Sequence, residues 1–313
     1  MDLATALVYA LPMRTRFRGI TVREGVLLRG PAGWGEFSPF LDYDDRECVP
    51  WLASAAEAAT DGWPAPVRDR IPINCTVPVV APDRAYELVL RSGCGTAKVK
   101  VADPGMPLGE DAERVAAVRD ALGPSGRIRV DANGAWDVAA AVAAIRTLDS
   151  AAKGLEYVEQ PCPSVSELAE VRRLVDVRIA ADESIRRADD PMRIALAGAA
   201  DVAVIKVAPL GGVRRALAIA EACGLPCVVS SAVETSVGLA AGLALAGALP
   251  RLDFACGLGT VSLLGADVVA TPYQPVDGWL PVPTSAPEPI SAAADADTTA
   301  RWRDRLRRVA ALG

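Results

Sequence analysis

The run IRVDANGAW at residues 128–136 is an apolar, β-branched segment that ends on a carboxylate, Asp131. The same pattern recurs at Glu159 in LEYVEQP and at Asp182 in RIAADES, so that the three acids are 28 and then 23 residues apart. This spacing is that of one strand plus one helix. If the strands are parallel and adjacent, the three carboxylates meet at one rim of the sheet.

Lysines flank these acids on similar runs. TAKVKV at residues 96–101 carries Lys98 and Lys100, and DVAVIKV downstream carries Lys206. Because strand side chains alternate, the first two lysines share one face and the Ala and Val residues take the other. The apolar face suits packing against helices, so we expect both lysines inside the sheet structure. Burial and a nearby Mg²⁺ would both disfavour the ammonium form, which predicts lowered pKa values for these lysines.

From Ile71 onward, strand-like runs alternate with segments of helical period, among them DPMRIALAGA. The strand candidates are PINCTV, TAKVKV, IRVDAN, LEYVEQ, RIAADE, VAVIKV, PCVVSS and DFACGLG. Crossovers of this length indicate parallel strands. The eight runs, with polar residues at their C-terminal ends, predict a (β/α)8-type barrel. A doubly wound sheet would more often have a Gly-rich phosphate-binding turn after its first strand, and INCTVPVVAPD has none.

The two ends of the chain differ from this repeat. Residues 1–70 contain short strand candidates and one helix candidate, DDRECVPWLASAAEAAT, which together predict an α+β unit. The barrel is predicted to occupy residues 71–275. Residues 276–313 combine a Pro-rich stretch with a basic helix, and we expect this tail to return to the N-terminal unit.

Composition limits the functional classes. With 313 residues and 51% hydrophobic content, the chain exceeds the roughly 250 residues of one barrel and can accommodate a small extra domain. No apolar stretch reaches about 18 residues, and the opening MDLATALVYALPMRTR lacks a secretory pattern, so we expect a cytoplasmic protein. The net charge of −6 and the dispersed arginines favour neither nucleic acid nor membrane. The seven scattered cysteines are predicted to be reduced core residues.

The chain contains no histidine. Catalysis by Ser-His-Asp or Cys-His arrangements is therefore excluded, as are imidazole ligands for zinc. Acid–base chemistry must fall to Lys, Asp, Glu, Tyr or Cys. A site with only oxygen ligands points to a hard cation, Mg²⁺ first and Mn²⁺ second.

Several motifs together resemble the enolase superfamily, in its muconate-cycloisomerase subgroup. They are KxK on one strand, DANxxW on the next, Glu followed by Gln-Pro, DES, and a lone strand lysine. Within that subgroup, PMRTRFRGI, GWGEFSPF and SSAVETSVGL are similar to the o-succinylbenzoate synthase family. The resemblance covers nearly the whole chain. It implies a modified (β/α)8-type barrel closed by an α+β capping domain formed by the N-terminal segment and the C-terminal tail.

The resemblance also implies roles for the charged residues. Asp131, Glu159 and Asp182 correspond to the ligands of an octahedral Mg²⁺, for which Mn²⁺ can substitute. A single acid would more often be solvated or paired with an arginine, but three on consecutive strands favour the ligand interpretation. Lys100 corresponds to the base, and Lys98 supports it or binds the substrate carboxylate.

Lys206 corresponds to a cation that stabilises an enolate in the synthases, and to a second acid–base group in racemases and epimerases. The implied reaction is the syn-dehydration of 2-succinyl-6-hydroxy-2,4-cyclohexadiene-1-carboxylate to 2-succinylbenzoate, a step of menaquinone biosynthesis. N-acylamino acid racemisation, epimerisation and muconate-type cycloisomerisation would use the same lysines. CGLGT stands where epimerases usually show DxD, which counts against a dipeptide substrate.

Other candidates are weaker. Asn133 and Glu183 could orient the ligands or only form local hydrogen bonds. Hydroxyls and backbone N–H groups near the last two strands could hold the succinyl carboxylate, or act as plain caps and turns: Ser230, Ser231, Ser236, Gly257, Gly259 and Thr260. Three arginines of an N-terminal loop could close over the site: Arg14, Arg16 and Arg18. The expected partner is a small-molecule carboxylate. The sequence leaves the oligomeric state open, with a monomer favoured.

Overall fold

A computed structural model describes residues 5–186, 198–290 and 294–313 of the chain. Two main sheets organise it, an antiparallel sheet near the N-terminus and a parallel sheet from the middle of the chain. Side chains of both sheets contribute to the cavity that is described below.

The N-terminal sheet is a three-stranded antiparallel meander. Its strands are β1 (Leu7–Phe17), β2 (Ile20–Gly30) and β3 (Gly33–Phe37). Helix α1 (Val49–Thr60) packs on β3. Gly35 permits this contact, since a Cβ there would lie 1.9 Å from the carbonyl oxygen of Ala55.

Seven parallel strands form the second sheet, in which each strand pairs with its neighbours along the chain. They are β5 (Cys75–Val77), β6 (Thr96–Lys100), β7 (Arg127–Asp131), β8 (Tyr157–Glu159), β9 (Ile179–Ala181), β10 (Val202–Ile205) and β11 (Cys227–Val229). A short antiparallel pair precedes and follows them, β4 (Arg70–Pro72) with β12 (Trp279–Pro281).

Helices connect the parallel strands. They are α2 (Pro82–Ser92), α3 (Leu108–Leu122), α4 (Val138–Ala152), α5 (Val165–Leu174), α6 (Glu183–Arg186), α7 (Val207–Leu210), α8 (Val213–Cys223) and α9 (Ser236–Ala248). Their starts follow local sequence: Asp137 caps α4, and Ser164 with Glu167 forms a capping box on α5. The predicted helix DPMRIALAGA lies mostly outside the described residues.

Two consecutive residues close the parallel sheet into a ring. Cys256 forms backbone hydrogen bonds with Pro72 and Asn74, and Gly257 forms them with Val229 and Ser231. The eighth predicted strand, DFACGLG, is thus present as two bridging residues rather than as a continuous strand. Glycine suits this position, because a Cβ on Gly257 would lie 2.6 Å from Ser230 Oγ.

Side chains of the parallel strands alternate between two cores. In β6, Ala97 and Val99 join the apolar cluster beneath the helices, whereas Lys98 faces Glu159 inside the ring. The interior also holds an apolar layer. Parallel strands buried on both faces are typical of a (β/α)8 barrel. The predicted fold class, a modified barrel with an α+β unit, is confirmed.

The C-terminal helix α10 (Ala296–Ala310) lies against β1 and α1 of the N-terminal unit. Arg305 donates to the carbonyls of Phe40 and Tyr43, at 2.8 and 2.7 Å. The indole of Trp302 donates to Glu24 at 2.7 Å. The domain boundaries at residues 70 and 275 stay predictions.

All seven cysteines are buried and none is in a disulfide, which agrees with the prediction of core residues. Within the described ranges, no helix combines the length and apolar character needed to cross a membrane.

Candidate active site

A cavity opens at the C-terminal ends of the barrel strands. It contains about 450 Å³ of empty space, part of it continuous with solvent. Its walls come from the barrel and from the N-terminal unit. The lining residues are Phe17, Arg18, Phe40, Thr76, Lys98, Lys100, Asn133, Glu183, Lys206, Ser230, Ser231, Ala232, Val233, Gly257 and Thr260.

Three buried carboxylates lie below this cavity. Asp131 ends β7, Glu159 ends β8, and Asp182 directly follows β9. The parallel register places Asp131 beside both Glu159 and Lys100. All three side chains are buried. The structure therefore brings together the acids that the sequence spacing predicted to meet.

Each carboxylate accepts a hydrogen bond from a lysine. Lys98 Nζ donates to Asp131 at 3.0 Å and to Glu159 at 2.8 Å. Lys100 Nζ donates to Asp131 at 2.6 Å, and Lys206 Nζ donates to Asp182 at 2.6 Å. Lys98 and Lys100 thus share Oδ2 of Asp131, Lys206 binds Asp182, and all three lysines line the cavity.

The charged groups of this cluster differ in how their surroundings shift their pKa values. Burial alone would lower the pKa of Lys98, but the charges of Glu159 and Asp131 outweigh burial and hold it well above its usual value. The lowered pKa was predicted from burial together with a nearby Mg²⁺; the protein groups by themselves shift the pKa of Lys98 upward, because one ammonium serves two carboxylates. Burial likewise opposes ionisation of Asp131, yet Lys100 and Lys98 hold its pKa well below the usual range.

Glu159 behaves in the opposite way. Burial, followed by the charge of Asp131, raises the pKa of Glu159 to about 7. Its Oε1 atom accepts from Lys98, whereas Oε2 has no hydrogen-bond partner among the described residues. This carboxylate therefore has one lysine contact and could accept a further positively charged partner at Oε2.

Asn133 and Glu183 form an outer link to this cluster. Lys100 Nζ donates to Asn133 Oδ1 at 2.7 Å, and Asn133 Nδ2 donates to Glu183 Oε1 at 3.3 Å. The backbone N–H of Asn133 donates to Asp131 Oδ1 at 3.1 Å. This residue adopts a φ of +49°, a conformation that asparagine tolerates better than most residues. Both predicted residues thus contact the site.

The weaker substrate-binding candidates separate into two groups. Ser230, Ser231 and Gly257 line the cavity, as does Thr260, whose hydroxyl lies 2.7 Å from that of Ser231. Gly259 does not line it; its carbonyl accepts from the Ser262 hydroxyl in the turn that starts a 3-10 helix at residues 260–263.

Ser236 is also outside the cavity lining. Its hydroxyl donates to Asp267 at 2.6 Å and accepts from the backbone N–H of Tyr273, so it secures the start of α9.

Of the three arginines predicted to lie in a loop, Arg14 and Arg16 instead belong to strand β1 and do not line the cavity, whereas Arg18, in the turn after β1, does. The Arg18 guanidinium lies 4.0 Å from the centroid of the Phe40 ring and donates to Tyr43 Oη at 3.2 Å. Aromatic faces attract a guanidinium in this way.

Two stretches of the chain match known family models. Residues 81–287 match the model described as Enolase C-terminal domain-like, and residues 8–59 match the one described as Enolase N-terminal domain-like. The chain belongs to the enolase superfamily. The barrel and the N-terminal unit thus correspond to two domain types of one superfamily.

Relatives within this superfamily cover almost the full chain. An o-succinylbenzoate synthase of Thermobifida fusca is 63% identical over 303 residues, which cover 96% of this chain and 95% of that protein. An o-succinylbenzoate synthase of Mycobacterium tuberculosis is 55% identical over 304 residues, covering 96% and 92%.

Solved structures of the superfamily share the fold. The L-Ala-D/L-Glu epimerase from Bacillus subtilis superposes with a TM-score of 0.77 at 25% identity, covering 92% of this chain and 98% of that one. The muconate lactonizing enzyme from Pseudomonas putida gives a TM-score of 0.74 at 22% identity, covering 95% and 98%, which shows a common fold.

Membership of the enolase superfamily implies a divalent cation, and the residues present fit one. Within the described residues, no three His, Cys, Asp or Glu side chains are already arranged around a metal position. Lysines contact all three acids. The donors are nevertheless buried carboxylates at adjacent strand ends, the ligands that hard cations prefer. The open Oε2 of Glu159 and its raised pKa both indicate room for added positive charge.

Two residues that order this enolase-superfamily site were not predicted from the sequence. Oε1 of buried Gln160 accepts from the backbone N–H of Asp182 at 3.0 Å and thereby fixes the backbone that carries this acid. Its place in the Glu-Gln-Pro motif could have indicated this role. Arg23 contacts the cavity wall from the N-terminal sheet, and no local pattern pointed to it.

Proposed function

We propose that this enolase-superfamily protein is an o-succinylbenzoate synthase. Its reaction is the dehydration of 2-succinyl-6-hydroxy-2,4-cyclohexadiene-1-carboxylate to 2-succinylbenzoate, a step of menaquinone biosynthesis. The observation that carries the proposal is the 63% identity to the Thermobifida fusca o-succinylbenzoate synthase over 95% of that protein. The cytoplasmic location expected from the sequence stays a prediction.

Asp131, Glu159 and Asp182 would hold the cation, for which we propose Mg²⁺, with Mn²⁺ as a substitute. When bound, the cation supplies positive charge beside the substrate carboxylate and so favours loss of the neighbouring proton. The carboxylates are held by strand ends and lysines, so their orientation is set before the substrate arrives.

Lys100 is the proposed base. Its ammonium nitrogen lies at the cavity, and its hydrogen bonds to Asp131 and Asn133 fix its position. The neutral amine removes the α proton of the substrate carboxylate, leaving an enolate. The resulting ammonium then gives a proton to the departing hydroxide on the same face, so that water leaves and the ring becomes aromatic.

Lys206 and Lys98 supply fixed positive charge. Lys206 directly follows β10, donates to Asp182 and lines the cavity, where its charge stabilises the enolate. Lys98 is held between two carboxylates and keeps its proton. We therefore assign Lys98 a supporting charge role.

The test is incubation of the purified protein, with Mg²⁺, with the cyclohexadiene substrate and in parallel with N-succinyl amino acids in D₂O. We expect 2-succinylbenzoate from the first and no deuterium exchange in the second. Exchange of the acylamino acid without dehydration would instead assign racemase activity to the same lysine pair. No turnover of either would refute the proposed function.

A further inference from the structure

Val233 has an unusual backbone conformation at the wall of the cavity. Its φ is +64°, in the left-handed region, which β-branched residues rarely adopt. It is buried and lines the cavity next to Ala232 and the two serines. Such a conformation persists only where surrounding contacts hold it, and it is found preferentially at functional sites.

The contact that holds this segment comes from the N-terminal sheet. Arg23 of β2 is buried, and its Nε donates to the carbonyl of Val233 at 3.0 Å. Its Nη2 donates to the carbonyl of Ala232 at 3.2 Å and to Ser38 Oγ at 3.0 Å. The guanidinium lies 4.7 Å from the centroid of the Phe40 ring, another part of the cavity wall.

Glu36 of β3 holds the other end of the same segment. Its Oε2 accepts from the backbone N–H groups of Thr235 and Gly238, at 3.1 and 3.0 Å. Its Oε1 accepts from Tyr9 Oη at 2.8 Å. Two strands of the N-terminal sheet therefore hold residues 232–238 of the barrel in place.

We propose that Arg23 is a positioning residue for substrate binding. By fixing the Ala232 and Val233 carbonyls it sets the shape of the wall that the substrate meets, and it couples the N-terminal sheet to the shape of the cavity. The use of this wall by the cyclohexadiene substrate rests on the proposed function. The lysines are held on other strands, so losing Arg23 changes substrate fit more than proton transfer.

The test compares Arg23→Met with Arg119→Met. Arg119 is also a buried arginine, and it donates to backbone carbonyls that do not line the cavity, those of Gly123, Gly126, Ala152 and Gly154. We expect Arg23→Met to raise KM for the cyclohexadiene substrate about 10- to 100-fold, with kcat within about threefold of wild type. Arg119→Met should leave both constants near wild type. Arg23→Lys replaces it if the methionine variant does not fold.

Hydrogen–deuterium exchange without substrate gives a readout that is independent of turnover. Peptides covering residues 230–236 should exchange about tenfold faster in the folded Arg23 variant and be unchanged in Arg119→Met. If the Arg23 variant shows this faster exchange but the wild-type protein does not turn over the cyclohexadiene substrate, the proposed function fails. The role of Arg23 in positioning residues 232–233 then still stands. Unchanged exchange, or a loss confined to kcat with KM unaltered, would overturn the role of Arg23.

Discussion

At the scale of single residues, the three site lysines are the same residue type in three environments. The Lys98 side chain is 8% exposed and serves two carboxylates, the Lys206 side chain is 11% exposed and serves one, and the Lys100 side chain, at 17%, is the most exposed and donates to one carboxylate and to Asn133. A cation held by two acids cannot readily release its proton. The division of work between a charge and a base follows from these contacts.

Replacing Lys100 tests the base directly. Lys100→Ala should lower kcat by roughly 10²- to 10⁴-fold, the usual contribution of general acid–base catalysis. Lys100→Arg keeps a positive charge near Asp131 but offers no base at neutral pH, so it should be equally impaired. Binding of Mg²⁺ to both variants, measured by calorimetry, should stay close to wild type. Recovery of activity in the arginine variant would show that charge alone suffices.

The buried carboxyl of Glu234 should make the stability of the folded protein depend on pH. Burial, and then the charge of Glu36, raises the pKa of Glu234 to about 7, so the folded carboxyl retains a proton that the unfolded chain releases at lower pH. The free energy of unfolding therefore falls as the pH rises through this interval and is flat above it. Glu234→Gln should gain stability over wild type between pH 5 and pH 8, by at most about 3 kcal/mol. Chemical denaturation of both proteins at pH 5 and pH 8 measures the difference between their free energies of unfolding. The same difference at both pH values would contradict the prediction.

At the scale of elements, helix α9 begins on a carboxylate from another part of the chain. Its own N-cap, Thr235, accepts from the backbone N–H of Val237, and Glu36 of β3 accepts from two further N–H groups at the same end. Negative charge at a helix N-terminus is stabilising because the first N–H groups lack partners within the helix. The contact ties a barrel helix to the N-terminal sheet.

Removing this carboxylate should be more harmful than removing an ordinary cap. Glu36→Ala leaves buried donors of Tyr9, Thr235 and Gly238 unpaired, so we expect a loss of at least about 2 kcal/mol in the free energy of unfolding. Asp137→Ala, which removes the exposed cap of α4, should lose about 1 kcal/mol. Chemical denaturation of both variants makes the comparison. Equal losses would mean that the Glu36 contact adds nothing beyond local capping.

At the scale of the whole molecule, the contacts that hold the barrel together are different from those that form the charged site. The barrel is closed by backbone hydrogen bonds at Cys256 and Gly257 and filled by apolar clusters. The buried carboxylates are matched by Lys98, Lys100 and Lys206. Each acid therefore already has a lysine partner, and we expect the chain to fold without a cation although Glu159 can accept more positive charge.

Chelation tests this separation. Treatment with EDTA should abolish dehydration while leaving the circular dichroism spectrum and the cooperative thermal transition in place. Adding Mg²⁺ back should restore the rate, because the carboxylates keep their strand positions. Unfolding on chelation would instead assign the cation a structural role.

The local pattern of the sequence determined the barrel repeat, the meeting of Asp131, Glu159 and Asp182, and the shared face of Lys98 and Lys100. Strand periodicity and strand-plus-helix spacing are local properties, so they can be read along the chain. Tertiary structure alone decided the ring closure, the raised pKa of Lys98 and the exclusion of Gly259 from the cavity wall.

The contact of Arg23 with Val233 joins residues 210 positions apart. Such contacts depend on how the two sheets pack, and packing of distant segments leaves no periodic signal in the sequence.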